Sequence, residues 1–318
     1  MKISTVTGEI APEALGVTLI HEHVTCADWS LRLAFGRRVF DRESVIETAV
    51  RQYKDMRERF GLASVVDGTP INLGRDTELL REISLRSGVN ILFCTGFFFI
   101  EQPQLLMRPD GEIEALLMSE AENGDAKTGA RPAMLKCAVG PAGFTLLIEK
   151  LLAVTARVSA GTGLPIFCHT DANQRQGTRA MEIFLQNGAD PEHVIIGHCG
   201  DTNDVDYLAS LLDTGCLLGM DRFGICGETN SMENRVDTML RLRMLGAVGR
   251  MVLSTDRPVF GGFGSVCDEN NAPDRTDHYA DVFARALPLL REGGMSEYEL
   301  MQMLVENPRM VFEAHEMN

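Results

Sequence analysis

Eight short apolar runs, separated by longer segments with helical periodicity, constrain the fold of this chain more than any other feature. Within each run the apolar residues are nearly continuous instead of alternating with polar ones. Continuous runs are typical of parallel strands that are covered on both faces. The predicted strands span residues 16–22, 62–67, 89–95, 132–138, 164–169, 193–198, 215–220 and 250–256.

The intervening segments repeat apolar residues about every 3.6 positions, as amphipathic helices do. The pattern is clearest over residues 43–60 and weakest over 101–119. A further helix at 296–306 is introduced by Ser296 and Glu299, which form a capping-box pair. The other predicted helices span residues 76–87, 144–158, 175–187, 204–213, 232–247 and 277–291.

This alternation predicts an α/β fold, a (β/α)8 TIM barrel. Eight units in 318 residues leave about 40 residues for each strand and helix, which suits such a barrel. An open, doubly wound sheet is the rival, but it normally carries a glycine-rich phosphate loop after its first strand, and this sequence has none. Because no linker or repeat interrupts the pattern, residues 1–318 are predicted to form a single domain.

Charge and cysteine content exclude several classes of protein. The chain has 45 acidic and 30 basic residues, a net charge of −15, which argues against nucleic-acid and anionic-membrane partners. Its eight cysteines form no Cys-x-x-Cys pair and lie mostly in apolar runs, as expected in a reducing compartment. The N-terminus has no apolar signal-peptide core, and no run is long enough to span a membrane. We therefore expect a cytoplasmic protein.

Candidate functional residues gather at the ends of the predicted strands. Of seven histidines, four lie there: His21 and His23 on the first strand, His169 on the fifth and His198 on the sixth. Asp256 ends the eighth strand. In a TIM barrel the carboxyl ends of all strands share one face, where active sites are built.

Two further details favour a metal site at this face. His21 and His23 are two residues apart, so on a strand both side chains point to the same side. Imidazole together with carboxylate suits zinc or another first-row divalent metal.

Lys136 lies inside the fourth strand among apolar residues, where burial favours the neutral amine. Such an amine can add carbon dioxide, and the resulting carbamate can bridge two cations. By strand alternation, the cysteines beside the candidate ligands should face outward and belong to the core: Cys137, Cys168 and Cys199.

In this order, His21-x-His23, Lys136, His169, His198 and Asp256 resemble the phosphotriesterase-like family of the amidohydrolase superfamily. The likeness covers nearly the whole chain. It is carried by the segments VTGEI, LGVTLIHEHV, VVDGTPINLGRD, CTGFFF, HTDA, IIGHCGDTND, GMDRFG, VLSTD and ENPRMVF.

The resemblance implies a binuclear centre of two divalent ions, zinc first, with manganese, cobalt or iron as alternatives. One ion would be held by His21, His23 and Asp256, and the other by His169 and His198. Carboxylated Lys136 and a hydroxide would bridge them. Asp256 would take the proton of the attacking hydroxide.

Three further residues are assigned by the same resemblance. Arg222 matches the arginine of lactonase-type members, where dedicated organophosphate hydrolases tend to have a relay histidine. Asp201 matches the remote aspartate of that relay, and we expect it to pair with Arg222. Phe98 replaces a tyrosine that is common in the lactonases and is assigned to substrate binding.

The predicted activity is metal-dependent hydrolysis of a small molecule, a lactone or carboxylic ester, with phosphotriester cleavage as a side activity. The alternatives are an amidohydrolase of an N-acyl compound, a dedicated phosphotriesterase and a non-catalytic binding barrel. The glycine-rich segment 257–276 is predicted to be a lid that sets specificity. By resemblance, the chain is expected to form a homodimer.

Overall fold

A computed structural model describes residues 2–100, 102–225, 230–261 and 280–313. It places a parallel strand in each of the eight predicted regions. A short antiparallel hairpin, not predicted, precedes them, and a further short strand follows the eighth. In chain order the strands are β1 Ile3–Thr5, β2 Gly8–Ile10, β3 Val17–Cys26, β4 Leu62–Asp67, β5 Asn90–Gly96, β6 Met134–Ala138, β7 Ile166–His169, β8 Val194–Ile196, β9 Leu217–Met220, β10 Met251–Leu253 and β11 Pro258–Gly261.

The parallel strands form one curled sheet in sequence order from β3 to β10, and β11 pairs with β3 at the other edge. The link between β10 and β11 also bonds to β3. Asp256 N donates to His21 O at 3.1 Å, and His23 N donates to Arg257 O at 3.3 Å. The eighth strand therefore continues along the first and closes the barrel, which confirms the predicted fold.

Helices follow the strands in the predicted alternation. The 101–119 region contains the four-residue helix Pro103–Leu106 and most of the 14-residue helix Asp110–Asn123, separated by a turn. The helix Trp29–Phe35 was not predicted. The helices are α1 Trp29–Phe35, α2 Arg42–Phe60, α3 Thr77–Ser87, α4 Pro103–Leu106, α5 Asp110–Asn123, α6 Leu146–Thr162, α7 Gln176–Gln186, α8 Val205–Leu212, α9 Met232–Met244, α10 Leu287–Glu292, α11 Glu297–Met301 and α12 Asn307–Phe312, with π-helical turns at Val282–Ala286 and Gln302–Glu306.

Side-chain alternation along the strands divides the core into two layers. Phe167 and its inward-facing neighbours fill the barrel, while Cys137, Cys168 and Cys199 pack outside against the helices. The three thiols thus face away from the barrel interior, as their positions in the sequence predicted. The Ser296–Glu299 capping box is also present at the start of α11.

Most of the predicted lid, residues 262–276, lies outside the described residues. Its first part, up to Gly261, completes β11. Among the described helices, none combines the length and the apolar character needed to cross a membrane.

Candidate metal centre

The barrel brings the six predicted ligands together at the carboxyl ends of its strands. His21 and His23 lie on β3, Lys136 on β6 and His169 at the end of β7. His198 and Asp256 follow β8 and β10 in short non-strand links. The side chains of His21 and His198 are fully buried, whereas that of Asp256 is 11% exposed and lies nearer the opening.

Two groups of short contacts make up the cluster. His23 Nε2 lies 3.2 Å from His21 Nε2 and 3.1 Å from Asp256 Oδ1, and His21 Nε2 lies 3.3 Å from the same oxygen. His198 Nε2 lies 2.7 Å from His169 Nδ1. Lys136 Nζ is 2.6 Å from His21 Nε2. Ligand atoms of His21, His198 and Asp256 all lie within 4.8 Å of one another.

Neighbouring groups fix which ring nitrogens face inward. Asp221, which follows β9, accepts from His21 Nδ1 at 3.0 Å and from His198 Nδ1 at 2.9 Å. The hydroxyl of Thr69 donates to Thr25 O, so towards His23 Nδ1, 2.8 Å away, it can only accept. With each Nδ1 acting as the donor, the Nε2 atom of each ring keeps its lone pair.

This donor set fits a divalent cation. His21 Nε2, His23 Nε2 and Asp256 Oδ1 lie 3.1–3.3 Å apart, so their lone pairs repel one another unless a proton or a metal ion lies among them. Nitrogen and carboxylate oxygen are the ligands that zinc and similar ions prefer. The acceptor bonds at Nδ1 are the kind of support that metal-binding imidazoles usually have.

Burial sets the protonation states that such a site needs. It lowers the pKa of His21 to about 3, with a further contribution from Lys136, and lowers that of His169 well below its usual value. Burial also lowers the pKa of Lys136, whose Nζ lies 4.2 Å from the centre of the Phe167 ring. Burial therefore favours neutral imidazoles at His21 and His169 and a neutral, nucleophilic amine at Lys136. At His23 burial is outweighed by Cys26 and Asp256, which raise its pKa to about 10.

An ion-pair chain extends from the cluster towards β9 and α9. Arg222 donates from Nε to Asp256 at 2.9 Å and from Nη1 to Asp201 at 2.7 Å. Asp201 also pairs with the fully buried Arg235 at 2.6 Å. The expected Asp201–Arg222 pair is thus present, and it is joined to Asp256. The two carboxylates raise the pKa of Arg222 further, although burial opposes this.

Glu22, between the two histidines of β3, binds the link after β10. It accepts hydrogen bonds from Ser254 Oγ, Thr255 N and Oγ1, and Arg257 N at 2.5–3.3 Å. Burial raises its pKa to about 7, while these hydrogen bonds act in the opposite direction. Glu22 thus holds the segment that carries Asp256 against the first strand.

Backbone strain is concentrated at the same site. The described residues contain four non-glycine positions with positive φ, and three of them are His198 at 63°, Arg222 at 62° and Asp256 at 53°. Such conformations cost free energy and persist where the surrounding contacts over-determine them. At Gly68 the constraint is space and not backbone conformation, because a Cβ atom there would lie 2.5 Å from His21 Cδ2.

Aromatic side chains of the β5–α4 loop form one wall of the site. The rings of Phe98 and Phe99 lie 5.2 Å and 5.4 Å from the ring of His169. Asn72 fixes the loop, because it accepts from Phe98 N at 2.6 Å and donates to the carbonyls of Phe98 and Ile100, each at 3.2 Å. The predicted substrate residue Phe98 therefore borders the cluster.

Sequence reasoning missed several residues of the site. Asp221 could have been found, because it follows a predicted strand directly, as the other strand-end residues do. Thr69 and Asn72 lie in a segment that resembled the family but contained no pattern of metal ligands. Arg235 lies within α9, 34 positions after Asp201, and nothing in the sequence marked it.

Comparison with known proteins agrees with this architecture. The model of the phosphotriesterase family matches residues 1–312. A solved structure, the phosphotriesterase from Mycobacterium tuberculosis, superposes with a TM-score of 0.91 at 31% identity, covering 99% of both chains.

Two curated relatives carry more specific names. An aryldialkylphosphatase from Saccharolobus solfataricus is 28% identical over 307 residues, covering 95% of this chain and 96% of the relative. A phospho-furanose lactonase from Mycoplasmopsis synoviae is 27% identical over 340 residues, covering 96% and 90%. Relatives of similar identity thus bear the names of a phosphatase and a lactonase.

Proposed function

The chain belongs to the phosphotriesterase family, and from this premise we propose that it hydrolyses a lactone or carboxylic ester with the help of two divalent ions. Membership makes it a hydrolase of ester-type bonds. The proposal goes beyond family membership, because it names the number of bound ions, the residues that hold them and the class of substrate. The observation that carries it is the position of Arg222 between Asp256 and Asp201.

The proposed ligands are those whose lone pairs converge in the barrel mouth. His21, His23 and Asp256 would hold one ion, and His169 and His198 the other. Lys136, as a carbamate, would bridge them. When bound, two such ions would lower the pKa of water and polarise the bond to be cleaved. The Nδ1 bonds to Asp221 would keep His21 and His198 oriented towards them.

Asp256 is the proton acceptor in this scheme. Its carboxylate is the most exposed part of the His21–His23–Asp256 group, so incoming water can reach it. As the water oxygen bonds to the carbonyl carbon, its proton passes to Asp256. When the carbon–oxygen bond to the alcohol breaks, that proton passes to the departing alkoxide oxygen. The products are a carboxylic acid and an alcohol, and the residue returns to its starting state.

Arg222 distinguishes this mechanism from one suited to activated phosphotriesters. A guanidinium stays protonated, so Arg222 cannot accept a proton from Asp256 and pass it to Asp201. An alkoxide leaving group takes the proton directly from Asp256, so no further residue is needed to carry the proton out of the site. An activated aryl leaving group departs without it, which leaves the proton on Asp256. The arrangement thus favours esters and lactones of ordinary alcohols.

A substrate panel tests this preference. Under one pH and one metal, we expect kcat/KM for the best lactone or alkyl ester to exceed that for an activated phosphotriester at least about 100-fold, roughly 2.7 kcal/mol of transition-state stabilisation. N-acyl amides belong in the same panel. A phosphotriester as best substrate would refute the proposed preference, and turnover of amides alone would assign the chain to the amidohydrolase alternative. No turnover by metal-loaded protein would favour a binding barrel.

A further inference from the structure

Arg235, on helix α9, has the largest completely buried side chain among the described residues. A guanidinium keeps its charge in the interior, so burying one costs free energy unless carboxylates and hydrogen-bond acceptors surround it. None of the six candidate ligands needs Arg235 as a direct partner in the contacts described above. Its own contacts therefore indicate which groups the buried charge serves.

The guanidinium of Arg235 is fixed between two strand ends. Its Nη1 donates to Asp221 O, directly after β9, at 3.1 Å. Its Nη2 lies 2.6 Å from Asp201 Oδ1, in the link after β8. The backbone of Gly200 lies close beside it, since a Cβ atom there would be 2.9 Å from Nη1. Arg235 is thus anchored on the main chain of one strand end and holds a carboxylate of another.

Asp201 links this buried arginine to the metal centre. Its Oδ1 faces Arg235, and its Oδ2 accepts from Arg222 Nη1 at 2.7 Å. Arg222 Nε in turn donates to Asp256 Oδ2 at 2.9 Å. Four side chains of alternating charge therefore form the ion-pair chain, in the order Arg235, Asp201, Arg222 and Asp256. The side chains of Arg235 and Asp201 are 0% and 7% exposed, so water screens the inner pair very little.

The alternation of charge lets Arg222 hold two carboxylates at once. With Arg235 present, Asp201 shares its charge between two guanidiniums. Without Arg235, the whole charge of Asp201 would act on Arg222, and Asp201 would compete with Asp256 for it. Arg222 and Asp256 also have positive φ angles of 62° and 53°, conformations that persist only where contacts enforce them. A displacement of Arg222 would therefore be passed on to Asp256.

We propose that Arg235 is a positioning residue for hydrolysis: anchored on the carbonyl of Asp221, it holds Asp201 so that Arg222 keeps Asp256 in place for proton transfer. This inference rests on the proposed function, since it assumes that Asp256 accepts a proton while an ester is cleaved. It adds a role in turnover for a residue that lies two side chains away from the proton acceptor.

The position of Arg222 can be followed without turnover. Nitrogen-15 NMR detects the Nε–H group of a hydrogen-bonded arginine, and Arg222→Met identifies the signal of Arg222 by its disappearance. In Arg235→Met, which removes the charge but keeps most of the side-chain length, we expect this signal to shift or to broaden beyond detection. Arg241→Met, at an exposed position of the same helix, is the matched control and should leave the signal unchanged.

A second variant moves the guanidinium of Arg235 without removing it, in case Arg235→Met does not fold. Gly200 is not among the described glycines with positive φ, so its backbone conformation suits alanine. The added Cβ atom would lie 2.9 Å from Arg235 Nη1, and the end of a flexible side chain gives way more easily than the backbone. Gly200→Ala should therefore shift the Arg222 signal while circular dichroism stays unchanged. Gly111→Ala, on α5, where a Cβ atom meets nothing within 4 Å, is its control.

Turnover provides the other measurement. For the best ester, kcat should fall about 100-fold in Arg235→Met and about tenfold in Gly200→Ala, because a small misplacement of a reacting group is costly. KM should stay within about twofold, since the completely buried Arg235 cannot touch the substrate.

Loss of folded protein would also lower kcat, so a double variant separates the two causes. If Arg235 acts through Arg222, Arg222→Met/Arg235→Met should be no slower than Arg222→Met alone, because losses along one chain of contacts do not add. A merely structural role would add its own loss to that of Arg222→Met.

An Arg222 signal that is the same in the unaltered protein and in either folded variant would overturn the assignment, and so would losses of kcat that add in the double variant. A shifted signal in a protein that cleaves no ester would refute the proposed function and leave the positioning of Arg222 intact. Ester turnover together with an unmoved signal would do the reverse.

Discussion

Three histidines at the centre of the site are each oriented by an identifiable hydrogen-bond partner. Asp221 makes His21 and His198 donate from Nδ1, and Thr69 does the same for His23. For Lys136 the main effect is burial, which lowers its pKa and favours the neutral amine. These effects are local, so single substitutions can separate them.

Removing the Lys136 amine should abolish activity and release both ions together. In the proposed site the Lys136 carbamate would bridge the two ions, so Lys136→Ala would remove a ligand from each. A short carboxylic acid such as acetate should restore part of the activity by supplying a carboxylate in the same space. The measurements are metal content after gel filtration and turnover with and without acetate.

Cys137→Ala is the control for this experiment, because Cys137 neighbours Lys136 on β6 but packs outside the barrel. It should keep its metal and its activity. Full metal content and normal turnover in Lys136→Ala would show that the lysine has only a structural role.

Asp221→Asn should weaken both halves of the centre. The amide keeps the shape of the side chain but offers one acceptor oxygen and an NH2 donor where two histidine N–H groups need acceptors. Loss of such support typically lowers metal affinity by about 10–100-fold. Competition with a chromophoric chelator measures this, and Asp213→Asn, an exposed site at the end of α8, is the control. Weakening of one ion alone would contradict the bridging role.

At the scale of elements, the barrel strands are regular and the chemistry lies in the links that follow them. β10 ends at Leu253, and the next four residues form no strand before β11 begins at Pro258. Asp256 is in this link with a φ of 53°. Glu22 on β3 receives the hydrogen bonds that hold the link in place.

Glu22→Gln should therefore affect both stability and metal binding. The substituted amide places an NH2 group against donors of the link, so at least one buried hydrogen bond is lost. We expect the free energy of unfolding to fall by about 2 kcal/mol and the metal affinity to fall with it. Urea denaturation and chelator competition measure the two effects.

Glu149→Gln, a change at an exposed ion pair on α6, should stay within about 0.5 kcal/mol of the unaltered protein. If Glu22→Gln lowered stability but left metal affinity unchanged, its role in positioning Asp256 would be ruled out.

At the scale of the whole molecule, the site depends on closure of the barrel. Its proposed ligands come from β3, β6 and β7 and from the links after β8 and β10. Ions bound to them would connect elements that are distant in the sequence.

The expected homodimer remains a prediction, and sedimentation at several protein concentrations would test it.

Metal removal should destabilise the whole barrel. Protein purified without chelator should contain about two divalent ions per chain by elemental analysis. Because folded chains bind the ions more tightly than unfolded ones, metal at about 1,000 times its Kd adds roughly 4 kcal/mol of stability. Chelation should thus lower Tm, and added zinc, manganese or cobalt should restore it. Fewer than one ion per chain, with no uptake, would refute the binuclear site.

The sequence alone determined the fold and the principal candidates. Continuous apolar runs and helical periodicity are local properties, so they placed all eight barrel strands near their observed positions. The His-x-His spacing, the strand lysine and the later strand-end residues, read in order, were enough to identify the family. Side-chain alternation along a strand also predicted that Cys137, Cys168 and Cys199 face away from the barrel interior.

The tertiary structure alone decided the contacts between residues that are far apart in the chain. The pairing of Asp221 with His21 spans 200 positions, and that of Glu22 with Thr255 spans 233. No local pattern encodes such contacts, because they form only when the barrel closes and brings its first and last strands together.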